Sequence, residues 1–597
     1  MILRVAIIIL LFANWSCKKE KESSSLKRAA VLTNEGGTID YARSTDPKTL
    51  DPVAQLDQIS GSFITNLYDT LLDYHYLKRP YELIPSLLEK MPQVSQDRKT
   101  YTFKLRKGVF FHDDKCFVHG KGRELIAQDV LYTIKRFADA NLNVKSWFLL
   151  DEVIEGLNAY REKTKESGKA KIDHLSEKVS GLQIINKHEF KIKLKRVNPR
   201  FLYSFAASSL AIIPHEAVSH YKEEFARHPV GTGPFILEEY KKKQTMRFIK
   251  NQRYFKKYPD SGEDGDKEKG FLADAGKKLP LLSSVNIHFI PESQPQMLKF
   301  KKGQLSWVGL DRDNFIKMAT KDENGQFRLK TEEAKKYSLY TEPGLSASFY
   351  YFNMKNPLLS QNKKLRQAIV MAIDINRKIE LLRNGRGNKL YTIVPESIAG
   401  SEKDIGKIWY DYDLESAKKL LFEAGYNEKS GFPSLTLTIP ESRSAQKKDF
   451  EFIRNSLAKI GIMLKPDYKT WSTHTQTLAK GEYDIASWAW GADYPDAENF
   501  FQLFYGGNIG DSNYSFFNHS EYNKLYEEIR FMADSPVKFE KLKQMMTILK
   551  AEVPFILDYT PLVSGLIQKN IKNFKRNIMI FLPFKYINID QAPIYTK

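Results

Sequence analysis

In the last quarter of the chain a carboxylate follows two indole rings. Trp488 and Trp490 close a run that begins with Tyr483 and Ile485, the small residues Gly491 and Ala492 come next, and Asp493 stands just beyond them. The run reads as an alternating strand, and the small pair as the turn that ends it. A carboxylate beside indole rings at a strand end suits a small cationic group, with apolar matter lying on the aromatic faces. A plainer reading competes: an Asp that caps the next helix after a core strand. On these residues alone the plainer reading has the better claim.

Three other groupings invite a chemical reading. Asp493 and Asp496 could serve as the paired carboxylates of a glycosidase, but a spacing of three in a Pro-containing loop fixes no separation, and such pairs arise by chance among 72 acids. His112, Cys116 and His119 bring soft and borderline metal donors close together. Against a metal site, a Gly-Lys-rich loop ordinarily faces solvent and a free Cys is commonly a small core residue. The stretch 228–237 (His-Pro-Val-Gly-Thr-Gly-Pro-Phe-Ile-Leu) has the glycines of a phosphate cradle, but no Lys-Ser/Thr follows, and the next element reads as a strand. Gly231 and Gly233 are expected there for backbone angles closed to other residues. No Ser-His-Asp arrangement, nucleophile elbow or Walker motif occurs. No catalytic residue, resident metal or cofactor is expected.

The chain's 597 residues exceed one ordinary domain, so two or three are expected. A hydrophobic share of 42% is ample for large cores, and 31 Tyr with 37 Phe point to a β-containing protein with amphipathic internal surfaces. The net charge of +20 raises the question of nucleic acid. The basic residues, however, are mostly Lys, spread along the chain and interleaved with acids, and no zinc-finger or RNP-type motif accompanies them. A solvated, Lys-rich surface that anionic lipid would attract fits better, with no nucleic-acid partner.

The N-terminus reads as an export signal: Arg4, then an apolar stretch over 5–13 that is too short to span a bilayer. Ser16-Cys17 resembles a bacterial lipoprotein cleavage site, although Asn14 and Trp15 depart from its usual pattern. Cys17 would then be lipidated, with residues 18–36 as a polar tether. The alternative is a cleaved signal with Cys17 unmodified. Cys116 is the only other cysteine, so no disulfide framework holds the mature chain.

The elements that must position these residues follow in order. Strands are expected over 37–43, 101–113, 189–194, 285–290 and 345–354, and a returning strand over 553–559. Helices are expected over 59–72, 127–136, 297–303, 365–377, 413–426, 450–460 and 537–550. Gly425 and Gly461 read as helix stops, and Pro536 as a first-turn residue. Residues 115–125 read as an extra loop, and 258–280, rich in Gly, Asp and Lys, as a flexible or partly helical insertion.

From about residue 37 to the C-terminus this order resembles the bacterial extracellular solute-binding proteins of family 5, which serve oligopeptide and dipeptide ABC importers. The motifs that carry the resemblance are Trp-x-x-Asp at 490–493, Pro-x-x-Leu-Asp-Pro at 47–52, Phe-His-Asp at 111–113, Gly-Thr-Gly-Pro-Phe at 231–235 and Asn-Gln-Arg-Tyr at 251–254. At 114 an Asp replaces the usual Gly. The resemblance implies an α/β, two-lobed periplasmic-binding-protein-like fold of type II, with an extra subdomain in the N-terminal lobe. It places lobe I at 37–290, the inserted subdomain at about 60–195, lobe II at 291–555 and a return segment at 556–597, with the first crossing near 288–292.

It also implies a function. Asp493 would grip the α-ammonium of a peptide laid out as an extra strand, Trp490, Gly491 and Ala492 would flank the guest and supply main-chain bonds, and Trp471 and Tyr559 would line its pocket. Some oligopeptide binders place an Arg six residues before the Asp, to meet the guest carboxylate; here that residue is Ser487. The implied protein is no enzyme. It is a periplasmic, lipid-anchored monomer that partners an ABC permease and its ATPases. Relatives that carry nickel, haem, opines or sugars keep the ligand class open, as does a surface receptor or adhesin on the same fold.

Overall fold

A computed structural model describes residues 36–590 apart from 56, 143, 167–171, 324, 428 and 441–443. The expected signal sequence, Cys17 and the tether as far as residue 35 lie outside the described residues. Among the described residues no helix is long and apolar enough to cross a membrane.

Strands and helices alternate, in keeping with the α/β class. The first sheet pairs Thr38–Arg43 in parallel with Ser284–Phe289, then adds Thr245–Lys250 and Phe235–Lys241 antiparallel. A second, antiparallel sheet runs in the order Gln93–Val94, Thr100–Lys104, Glu189–Lys193, Leu182–Asn186. Its strands obey a period of two: Tyr101, Phe103, Phe190 and Ile192 are buried, and Phe103 stacks on Phe190 at 4.9 Å. The stretch 101–113, expected as a strand that turns at Gly108, pairs over Thr100–Lys104 and turns at Gly108, whose φ is +72°.

The third sheet sets Tyr559–Gln568 between Trp307–Gly309 and Tyr337–Pro343, with Gly387–Lys389 also on Tyr559–Gln568. The fourth has five strands in the order Met463–Lys469, Ser434–Pro440, Ile485–Gly491, Ser346–Phe352, Phe555–Leu557. Two short passes join these sheets, through Gly344 and Leu345 and through Asp558, and longer connections lead to and from Gly387–Lys389. The passes lie side by side: Gly344 N donates to Pro561 O at 2.8 Å and Asp558 N to Ser348 O at 3.1 Å. One large buried apolar cluster surrounds the five-stranded sheet, a second joins the first two sheets, and a small third lies around Val308 and Phe315.

Local chemistry sets the helix ends. The Asp413 side chain caps Leu414–Glu423, and Gly425, at φ +93°, turns the chain beyond it. Ser535 caps Pro536–Glu552. The helix expected over 365–377 is two helices, Lys363–Met371 and Ile375–Arg383, because the Asp374 carboxylate accepts from Arg377 N and starts a new one. Lys378 and Arg383 therefore belong to the second helix.

The 228–237 stretch corrects one sequence argument. Neither Gly231 nor Gly233 has a left-handed φ. A side chain at either would strike Leu67 or Tyr68, with approaches of 2.3 Å to the Leu67 backbone. The glycines are there for close approach. His112 completes the junction: its N donates to Gly231 O at 2.8 Å, and its Nε2 bonds Gly233 O at 3.0 Å. The 258–280 insertion is a series of turns closed by a Lys257–Lys278 bridge. It is sewn to the C-terminal segment by Asp266–Lys575 at 2.8 Å and by Asn573 Nδ2 to Asp274 at 2.7 Å.

Arg366 holds a more demanding junction. Its guanidinium is buried and donates only to carbonyls, of Leu359 and Ser360 on one side and Glu552 and Val553 on the other. It thereby satisfies the open end of Pro536–Glu552. Burial lowers its pKa to about 10. Replacing Arg366 with Leu should cost about 3 kcal/mol or more, since several carbonyls lose their donors at once; chemical denaturation measures it. Burial also holds the His112 imidazole down at about 4. The folded state therefore favours the neutral ring. Its contribution is whole above the unfolded value of about 6.5 and is lost as pH falls toward 4, at most about 3 kcal/mol. His112→Gln should flatten that part of the stability–pH curve.

Candidate functional site

The strand Ile485–Gly491 pairs fully with Ser346–Phe352 on one edge, from Ser346 opposite Gly491 to Phe352 opposite Ile485. On its other edge the parallel strand Ser434–Pro440 pairs only with Ile485 and Ala486. From 487 to 491 no described strand takes that edge, which leaves it open to pairing apart from Ser487 O, held by His474 Nε2 at 3.0 Å. Period two places Trp488 and Trp490 on the face opposite Ile485, not on a continuous face with it as the run from Tyr483 implied. Gly491 is exposed, and a side chain built there would meet nothing within 4 Å. Ala492 N donates to Leu345 O at 2.8 Å, which fixes the strand tip beside one of the two chain passes.

Asp493 follows at once. The Asn499 side chain, buried beneath it, accepts from Asp493 N at 3.1 Å and from Trp490 Nε1 at 2.9 Å, and donates to Asp493 Oδ2 at 3.1 Å. One carboxamide thus orients the indole, the turn and the carboxylate. Asp493 is solvent-exposed. Even so, its carboxyl is pushed above the ordinary carboxylate value, first by the crowding of protein around it, with Glu498 adding to the rise and the Asn499 bond opposing it. Among the described residues no Lys, Arg or His comes within ion-pair distance of it.

Asp496 takes no part. It is buried on Lys538 Nζ at 2.8 and 2.9 Å, and its Oδ1 accepts from Glu498 N at 2.9 Å, so it is not free to act with Asp493 as an acid pair. Glu498 faces a different partner: Arg200 at 2.6 Å, with Tyr494 and Tyr526 hydroxyls on the same carboxylate. Tyr203 stacks on Tyr494 at 6.0 Å. The 200–204 segment therefore meets the 494–498 segment directly.

Trp471 and Tyr559 occupy a second place. Both line a cavity of about 210 Å³ together with Ser487, Trp488, Lys378 and Asp449. Trp471 is 56% exposed and stacks on Trp488 at 5.4 Å, so it is a surface ring and not core packing. Tyr559 is buried and its hydroxyl accepts from Arg383 Nε at 2.7 Å. Trp490, Gly491, Ala492 and Asp493 do not line this cavity. Six residues of strand and turn separate Ser487 from Asp493, roughly 20 Å when extended. Sequence reasoning missed Asn499, although it lies six residues after Asp493, and missed Lys378, Arg383 and Asp449, which a single long helix ending at 377 obscured.

Among the described residues His112, Cys116 and His119 form no metal-holding group. The one cluster with suitable geometry is Asp129, His215 and Glu216, and the Arg123 guanidinium already lies on both of its carboxylates at 2.5 to 2.8 Å. Burial raises the Cys116 thiol, and Asp114 beside it raises it further, which makes it a poor thiolate ligand.

Residues 82–512 match the family model described as "Bacterial extracellular solute-binding proteins, family 5 Middle". Heme-binding protein A of Haemophilus influenzae is 26% identical over 549 residues, 90% of each chain. The dipeptide-binding protein of Escherichia coli is 26% identical over 520 residues, 85% of this chain and 86% of its own. The solved structure of the ABC transporter-associated periplasmic binding protein DppA from Helicobacter pylori, in complex with peptide STSA, has a TM-score of 0.69 at 23% identity and covers 93% of this chain and 98% of that one. With a two-lobed α/β fold shared over nearly its whole described length and the family model spanning most of its sequence, the chain belongs to the bacterial extracellular solute-binding proteins of family 5.

Proposed function

We propose that this protein captures peptides outside the cytoplasm and delivers them to an ABC permease driven by ATPase subunits. One observation carries the reading: an uncompensated carboxylate stands at the tip of a strand whose edge over 487–491 no described strand occupies. A peptide laid along that edge offers its N–H and C=O groups whatever its sequence. Its α-ammonium then falls to Asp493, and its apolar parts to Trp490, the exposed Gly491 and the half-buried Ala492. Trp471 and Tyr559 line the place reached by residues further along. A peptide binder and a haem binder both stand among the relatives. Asp493 favours the peptide: haem carries carboxylates, which a lone carboxylate repels.

Closure follows from the same residues. The passes at 344–345 and 558 favour a hinge there, which would give 291–343 to the first lobe and not to the second, as the sequence suggested. Ser306 N donates to Asp40 O at 2.8 Å and Trp307 packs on Tyr41 at 5.1 Å, which supports that assignment. The first lobe then runs from 37 to about 343 with its inserted subdomain at about 60–195, and 559–590 returns to it. A guest touching both lobes favours the closed arrangement. Lipidation at Cys17, a periplasmic location at the membrane and a monomeric state complete the proposal; they rest on the sequence alone. So does the absence of catalytic activity.

A free tetrapeptide should bind the purified protein with roughly micromolar affinity, about −8 kcal/mol. Asp493→Asn should weaken it about a hundredfold while leaving apo melting nearly unchanged. N-acetylation of the peptide should cost the parent protein a similar factor and the variant nothing further. Equal calorimetric affinities for free and acetylated peptides would remove Asp493 from the site. Arg200→Ala, which breaks the Glu498 contact without touching the strand edge, should lower affinity, with small-angle scattering showing a less compact loaded form.

A further inference from the structure

The cavity beside Trp471 holds more acceptors than the chain satisfies. Lys378 and Asp558 pair at 2.5 Å through Oδ2, and the Lys378 ammonium also donates to Tyr350 OH at 2.8 Å. Arg383 spends Nη2 on Asp449 Oδ2 at 2.5 Å and Nε on Tyr559. The two cations are thus engaged on the walls. Asp558 Oδ1, Asp449 Oδ1 and Gln446 Oε1 are buried and receive no hydrogen bond among the described residues. Asp558 is 2% exposed. Lys378 stands 3.9 Å from Asp449 Oδ1, too far for a bond. One donor, Trp488 Nε1, is likewise unpartnered.

Two acids and two bases cancel in formal charge, so net charge does not select a guest; the open hydrogen-bonding positions do. We propose that this cavity is a specificity pocket for a guest side chain that donates hydrogen bonds, an ammonium, guanidinium or carboxamide, and that it rejects carboxylates. The exposed face of Trp471, stacked on Trp488, takes the methylene stem or the cation on its way in. Asp558, Asp449 and Gln446 then receive the donors. A carboxylate brings only acceptors to acceptors, and an apolar side chain leaves all of them unmet.

The inference rests on the peptide reading above, and the test separates the two. Tetrapeptides with a free N-terminus and Ala at all positions except one are titrated calorimetrically against the full-length purified protein. Lys, Gln, Leu or Glu is placed in turn at the second, third and fourth positions. At one position Lys and Gln should bind about tenfold tighter than Leu, and Glu weakest. Gln446→Leu and, separately, Asp449→Asn should erase that preference. If all-Ala binds and Lys, Gln, Leu and Glu are equivalent everywhere, or Leu wins, the pocket assignment fails while peptide binding stands. If none of the peptides binds, the peptide reading falls and the assignment with it.

Discussion

The site depends on how Asp493 is held. Every buried carboxylate among the described residues has a cation: Asp51 on Arg136, Asp69 on Lys256, Asp129 on Arg123, Asp266 on Lys575, Asp274 on Lys277, Asp496 on Lys538, Glu498 on Arg200 and Asp558 on Lys378. Asp493 is fixed instead by a neutral carboxamide. Lys or Arg at position 499 would orient the group equally well and consume its charge. Asn499 orients it and leaves the charge to be met from outside. The rise in the Asp493 pKa has the same cause: crowding without a compensating cation.

A strand end supplies what the carboxylate alone lacks. An exposed acid on a convex surface gains little from an ion pair, because water screens it. Beside an unpaired stretch of backbone, the same acid would be the first of a series of contacts that the proposed peptide makes together. Each main-chain bond then helps to align the others, and the ammonium sets the register. Gly491 matters here for what it omits: a side chain at the exposed tip would stand in the open space a guest main chain has to enter.

Much of the fold was legible because it follows from local chemistry. The caps at Asp413 and Ser535, the stop at Gly425 and the alternation in Glu189–Lys193 each follow from residue type and spacing. Errors arose where a distant partner decides. Gly231 and Gly233 were read for their own dihedral freedom, while the constraint is the Leu67–Tyr68 backbone, over 160 residues earlier in the chain. The insertion at 258–280 read as loose because its anchors, Asn573, Lys575 and Asn588, come some 300 residues later. The site divided in the same way. Trp490 lies at the end of a strand and Asp493 in the turn just after it, so they could be read together. The cavity near Trp471 gathers residues from three helices, four strands and a chain pass, and no spacing rule links Lys378, Asp449 and Asp558.

The two parts of the site share an attachment that gives closure a route. The strand tip is bonded to Leu345 through Ala492, and Asp558, which carries the cavity's central pair, is itself the other pass. Both passes are therefore part of, or bonded to, a group that a guest would touch. A hinge remote from its ligand must be driven by contacts between lobes alone. On the proposed reading the ends of an extended guest would bear on the two passes, so that guest length, and not only guest chemistry, should set how completely the lobes close. The Arg200–Glu498 pair acts at the far side of the same turn: Glu498 neighbours Asn499, so the residue that completes the contact between segments adjoins the one that orients Asp493. The proposed recognition at the strand tip and the proposed closure across 200–204 would in this way lie one covalent step apart.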